Sequence, residues 1–247
     1  LAAEAVDVAR TMSRDLGLSN VDLIAGDLRD LPDDAGTFDY IVAHGFYSWV
    51  PAEVRSALFE TLRARLAPGG IAFVSHNVLP GCALRGIPWS AIRPLVMGIA
   101  DPRRRIAEAR AFARRMAETM AKLPGMAVVM ADEFLELAER QDIVLAHDDF
   151  APVNHPVYLR DLVEEAGAQG LAWLGDADPY RHVAYAYDPP MNAWLAGVDR
   201  MTQEHIVDHL RLRRFRESLF VHQGRPAGDP ISPERLDPMH IAATNWT

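Results

Sequence analysis

The chain has 247 residues, 49% hydrophobic and 24% charged, the balance of a folded globular protein and not of a disordered or collagen-like one. Its 25 Lys and Arg against 34 Asp and Glu give a formal charge of -9, a field that disfavours non-specific nucleic-acid binding. No apolar run approaches the ~20 residues a bilayer span requires, and the single cysteine, Cys82, cannot build an internal disulfide or a cysteine-based zinc site alone. A reducing cytoplasm suits this composition, with neither membrane nor nucleic acid as partner.

The opening Leu1 to Ala5 reads as a helix already under way and lacks the basic and apolar regions of a signal peptide. An internal piece of a longer protein is therefore expected. Val6, Ala9, Met12 and Leu16 continue the helical stripe, and Gly17 is a natural stop. Val21-Asp22-Leu23-Ile24-Ala25 predicts a short buried strand ended by Gly26-Asp27. Phe38-Asp39-Tyr40-Ile41-Val42-Ala43 predicts the next, after the turn Pro32 to Gly36. A helix follows from Pro51, with Val54, Ala57, Leu58, Thr61, Leu62 and Leu66 inward, and Pro68-Gly69-Gly70 ends it before the strand Ile71 to Ser75.

Strands separated by helices predict a parallel, doubly wound α/β sheet. Ligands sit beyond the carboxyl ends of such strands, which directs attention to Asp27, His44 and Ser75 to Asn77. From Pro80 to about Ala146 the pattern turns helical, with Ile106, Ala109, Phe112, Ala113, Met116 and Met120 in register and a second helix within Asp132 to Arg140. Pro156 to Ala168 and Gln203 to Arg213 read as further helices, and Leu171 to Leu174 and Ser218 to His222 as strands.

Three stretches in series carry a family resemblance: Asn20 to Leu28 with its strand-Gly-Asp, Phe38 to Ala43, and Leu66 to Val74 with its Leu-x-Pro-Gly-Gly turn. Together they resemble the class I S-adenosylmethionine-dependent methyltransferases. His44 to Pro51, Asn77 to Gly81, His147 to Tyr158 and Arg213 to Leu219 are similar, more narrowly, to bacterial methyltransferases that carry a methyltransferase regulatory domain. Some relatives of this kind methylate protein lysines. The family's glycine-rich loop after the first strand, and the acidic residue ending the second, have no counterpart in this sequence and would lie upstream of Leu1. The chain by itself is therefore expected to bind cofactor poorly and to be inactive, the activity belonging to the parent protein.

The resemblance implies S-adenosyl-L-methionine as cofactor. It places the Asp27 carboxylate at the adenine amine and the Leu28 N–H at a ring nitrogen, although an aspartate ending a strand is also an ordinary turn residue. His44 would face the transferred methyl, either as a base for the acceptor or as a packing residue at the sheet end. Tyr47 and Trp49 would cover the adenine or cage an alkylammonium, or else staple the start of the helix they precede. Ser75, His76 and Asn77 are candidates for the acceptor pocket.

Two metal readings carry less. His205 and His209 share a helix face but lack a third ligand at a telling spacing, and His147-Asp148-Asp149 is explained by a loop with a helix N-cap before Pro156. The arginines at 103 to 105, 110, 114 and 115, and those at 211, 213, 214 and 216, read as solvated helix faces.

The expected architecture is α/β: a partial Rossmann-like class I methyltransferase sheet with a mostly helical second region. Residues 1–80 form the C-terminal part of the methyltransferase domain, 81–187 the helical regulatory-type domain, and 188–247 a helix-rich segment leading to a truncated C-terminal domain. The parent would methylate an N or O nucleophile, in a protein side chain or a small molecule; the alternative is a non-catalytic scaffold or regulatory protein of the same fold. Oligomeric state is not legible.

Overall fold

The structure, a computed structural model, describes residues 3–178 and 187–224. The final stretch expected to lead into a further domain, 225–247, lies outside the described residues.

Helix α1 (Ala3–Asp15) forms as its apolar period predicts, yet none of its residues is buried, and Val8, Met12 and Leu16 face solvent. The segment Val21 to Ala25 is extended but joins no sheet, with Val21 and Ile24 exposed. This corrects the expected strand: a strand exists through its ladder, and no neighbour lies beside this one among the described residues. Strand β1 (Phe38–Ala43) leads through a short 3-10 turn (Tyr47–Trp49) into α2 (Ala52–Arg65) and then β2 (Leu66–Asn77), which pairs parallel with β1. Their register breaks between Phe38 and Tyr40, where the Pro-Gly-Gly segment bulges. Gly70 is required there: a Cβ would stand 2.9 Å from the Asp39 carbonyl and 2.8 Å from the Leu66 side chain.

The helical stretch comprises α3 (Gly81–Val96), α4 (Pro102–Met120), α5 (Met126–Glu139) and the short α6 (Asp142–Val144), which widens into a π turn over Leu145–Asp149. It has its own core: Ile92, Ala109, Ala113, Phe134, Leu137 and Leu145 are buried against one another. The alanines let α4 and α5 approach closely. A strap over residues 150–158 then leads to α7 (Leu159–Ala168), β3 (Leu171–Asp176), α8 (Pro189–Ala196), α9 (Arg200–Arg211) and β4 (Phe215–His222).

The sheet order is β1-β2-β4-β3. Strand β4 inserts antiparallel to both β2 and β3, so the sheet is mixed and not wholly parallel as the strand-helix alternation suggested. That alternation carries no information about a strand added from more than 130 positions downstream. One sheet face holds the main core, where Ala43, Ala72, Val74 and Phe220 meet Leu58, Phe59 and Leu62 of α2 and Leu162 and Ala166 of α7. On the opposite face Tyr40 and Val42 are 69% and 68% exposed, so the double winding is one-sided among the described residues.

Candidate functional site

A cleft of about 590 Å³ opens at the carboxyl ends of β1 and β2, where parallel strands place ligands. His44 and Gly45 follow β1, Trp49 closes the 3-10 turn, and Asn77 ends β2. Arg85 reaches in from α3, His147 and Asp148 from the π turn, Ala151 from the strap, and Arg214 and Phe215 from the start of β4. Gly45 has φ +62°, which bends the chain out of β1, and its N–H donates to Ser75 Oγ at 2.7 Å.

The His44 ring stacks on Phe73, centroids 6.0 Å apart, and meets the edge of Phe215 at 6.2 Å. It is exposed to the cleft side of the sheet end. Trp49 shares that cleft, whereas Tyr47, two residues earlier, points into the core and is 1% exposed. The Tyr47 hydroxyl donates to Glu165 Oε2 at 2.6 Å, and its ring packs on Phe59 and His76. Burial first, and then the bond to Glu165, hold its phenol far above the ordinary tyrosine range. Tyr47, expected with Trp49 to cover the adenine or cage an alkylammonium, thus takes a core position: the turn at 47–49 sends alternate aromatic side chains to opposite sides.

Asp27 and Leu28 do not line this cleft. Asp27 caps the short 3-10 turn Leu28–Asp30, accepting from the Arg29 N–H at 3.0 Å, and its carboxylate pairs with the Arg29 guanidinium at 2.9 and 2.8 Å. These bonds from Arg29 hold its carboxyl well below the usual carboxylate range. Leu28 packs toward the main core and lines a shallow groove with Ala57 and Thr61 of α2.

Of the strand-end trio, Asn77 alone lines the cleft. Ser75 is buried under Gly45, and His76 faces the main core at 1% exposure. Burial, then the nearby Arg216 charge, push the His76 imidazole down to about 3, so it is held neutral. His209 stacks on Tyr158 and His205 meets the same ring at a tilt, the two imidazoles 4.3 Å apart, and no group of three metal-ligating side chains occurs among the described residues.

Period alone could not reveal the arginines' roles. Arg213, Arg214 and Arg216 are not on a solvated helix face; they lie at the entry to and within β4. Arg216 is fully buried and bonds Asp176 at 2.6 Å, Asp208 at 2.8 Å and Glu204 at 2.6 Å, while Arg213 bonds Asp176 and Asp208. A second network borders the cleft. Asp149, 1% exposed, accepts from Arg140 at 2.6 Å and from Arg85 at 3.3 Å, and Arg214 bonds Glu133 and Glu136. Asp148 is met by Arg85 only at 3.8 Å, and burial raises its carboxyl above the ordinary range with Arg85 opposing. No metal and no N-cap is needed to explain His147 to Asp149, which belong to the π turn Leu145–Asp149; α7 starts after Tyr158, whose side chain makes no capping bond.

Residues 1–70 match the family model of a methyltransferase domain, and residues 141–222 that of a predicted methyltransferase regulatory domain. In these two stretches the chain is similar to a methyltransferase domain and to a methyltransferase regulatory domain. The methyltransferase part supplies His44, Gly45 and Trp49 to the cleft; the regulatory part supplies His147, Asp148, Ala151, Arg214 and Phe215. Among its relatives, the chain is 30% identical over 246 residues to the uncharacterized protein RP789 of Rickettsia prowazekii, covering 96% of this chain and 43% of that one. It is 27% identical to sll1526 of Synechocystis over 86% of this chain and 43% of the relative. PKMT2 from Rickettsia typhi has a similar fold, with TM-score 0.84 and 27% identity over 96% of this chain and 45% of that one. Its complex with AdoHcy gives TM-score 0.86 at the same identity, over 96% and 46%. The chain spans less than half the length of these relatives.

Proposed function

We propose that the protein transfers a methyl group from S-adenosyl-L-methionine to an N or O nucleophile, possessed by a protein side chain or a small molecule, in the cytoplasm. The observation that carries this reading is the cleft at the carboxyl ends of β1 and β2, walled by both the methyltransferase and the regulatory match. Its 590 Å³ is within the ~300–1,000 Å³ range of small-molecule sites. The aromatic faces of His44, Trp49 and Phe215 suit a cationic sulfonium, because a ring face attracts positive charge. The cleft lining therefore suits the sulfonium end of the cofactor, which when bound supplies an electrophilic methyl.

Within this proposal Trp49 and His44 hold the cofactor's reactive end and orient the acceptor. Alignment is the main contribution, since in-line displacement needs two reactants held at a near-attack distance. A ring nitrogen of His44 takes the acceptor's proton where one must leave. Asp27 and Leu28 are assigned to the adenine side: Asp27 Oδ2 accepts one Arg29 bond and keeps a second lone pair for an amine. The regulatory part roofs the site through its π turn and strap.

Titration calorimetry with AdoHcy, on this chain and on the full-length gene product, tests the reading. Binding by the full-length product, weakened about tenfold by Trp49→Ala as the loss of one aromatic contact implies, is the expected result. Absence of binding in both overturns it and favours the scaffold alternative.

A further inference from the structure

Asp148 differs from the other charged groups around the cleft in how little of its charge is matched. Three guanidiniums, Arg85, Arg140 and Arg214, face four carboxylates, Glu133, Glu136, Asp148 and Asp149, so this wall carries one excess negative charge. Arg214 is committed to Glu133 and Glu136, and Arg140 to Asp149 and Glu136. Arg85 lies closer to Asp149, at 3.3 Å, than to Asp148, at 3.8 Å. Asp148 is also the one carboxylate among the described residues lining the cleft, and its side chain is 41% exposed.

The π turn explains this placement. One extra residue in the turn Leu145–Asp149 lets two successive aspartates serve different ends: Asp149 is buried between two arginines, and Asp148 is turned to the cleft. The aromatic residues Trp49, His44 and Phe215 line the same cleft. A carboxylate and aromatic rings lining one cleft recognise an alkylammonium, whose charge pairs with the first and whose methylenes and charge lie against the second. A hydroxyl acceptor gains neither term.

We propose that Asp148 is the specificity-determining residue of this cleft, binding the nitrogen of a cationic amine acceptor and so selecting N over O nucleophiles. The proposal rests on the methyl-transfer reading for its biological meaning, though the binding itself needs no cofactor. The geometry also gives the regulatory part a definite role: it supplies the group that recognises the acceptor and one aromatic ring, Phe215, while the methyltransferase part supplies Trp49 and His44.

The test is nuclear magnetic resonance titration of the chain with n-butylammonium and, as neutral isostere, n-butanol, following the Trp49 indole and the Ala151 methyl. The expected result is saturable binding of n-butylammonium, at least fivefold weaker in Asp148→Asn and restored toward the original by Asp148→Glu, with no saturable response to n-butanol. Asp142→Asn, an exposed carboxylate on the adjoining turn, should change the affinity less than twofold. Equal affinity in Asp148→Asn, an equal response to n-butanol, or an equal loss in Asp142→Asn would each overturn the proposal. Should Asp148→Asn fail to fold, Asp148→Glu and the n-butanol comparison still decide it. Failure of AdoHcy binding by the full-length gene product as well as by this chain, with the ammonium response intact, would sink the methyl-transfer reading alone.

Discussion

Asn77 at the end of β2 donates from Nδ2 to Oδ1 of Asn154 at 2.9 Å, across 77 positions of sequence. Around it Ser48 Oγ accepts from the Asn77 N–H, His155 N–H donates to the Ser48 carbonyl, and Val157 N–H donates to the Asn77 carbonyl. The strap of the regulatory part is thereby laced to both strand-end loops that build the cleft. Asn154→Ala leaves the buried Asn77 amide without this partner, at a cost of about 1–3 kcal/mol. Urea unfolding should show that loss. The double variant with Asn77→Ala should recover part of it, since removing both partners strands neither.

Tyr47 and Glu165 provide a second check on the divided roles of the aromatic pair. Tyr47→Phe removes the donor to Glu165 from a buried ring and should lower stability by about 1–2 kcal/mol. Any loss of AdoHcy binding should follow the unfolded fraction. Trp49→Ala should do the reverse, weakening AdoHcy binding with little change in the urea midpoint, because Trp49 lies on the cleft wall.

His76 makes the fold sensitive to acid. Its imidazole is neutral in the fold down to about 3, whereas the unfolded chain protonates it near 6.5. Below that pH the unfolded state binds the extra proton, so stability is complete above it and falls by about 1.4 kcal/mol per pH unit as pH drops toward 3. Urea midpoints at pH 7 and pH 4.5 should differ accordingly, and His76→Phe should flatten the difference.

Arg216 is buried among Asp176, Asp208 and Glu204, so its removal takes a guanidinium from three carboxylates, of which Asp176 and Asp208 also meet Arg213. Arg216→Met should cost about 3–5 kcal/mol, the usual penalty for breaking a buried ionic cluster from one side. Loss of the cooperative transition in Arg216→Met, against retention in the exposed Arg114→Met, is the expected contrast.

Gly81 begins α3 where the chain before β4 passes close. A Cβ there would stand 2.0 Å from the Leu212 carbonyl oxygen and 2.3 Å from that of Arg213. Both atoms are backbone, so Gly81→Ala forces the turn into β4 to move, and with it Arg214 and Phe215 of the cleft. A melting temperature lowered by several degrees, consistent with about 1–3 kcal/mol of overpacking, is expected.

Local features were legible in the sequence because they depend on near neighbours. The stripe of α4, the Phe38 to Ala43 strand, the Pro-Gly-Gly turn and the strand-end places of His44 and Asn77 all follow from period and turn chemistry. The resemblance of these short stretches to methyltransferases rests on the same local pattern. What only the tertiary structure decided involves distant partners: β4 entering between β2 and β3, Arg216 buried when its neighbours suggested a solvated face, and Val21 to Ala25 left without a ladder. The cleft divides in the same way. Trp49 and Tyr47 were indistinguishable as residue types until the turn at 47–49 aimed one at the cleft and the other at Glu165. Asp148 and Asp149 likewise separate only through the π turn and the arginines that reach it from α3 and α5. A single sequence records periods along the chain; which charges meet across it is set by packing, and here packing built the cleft.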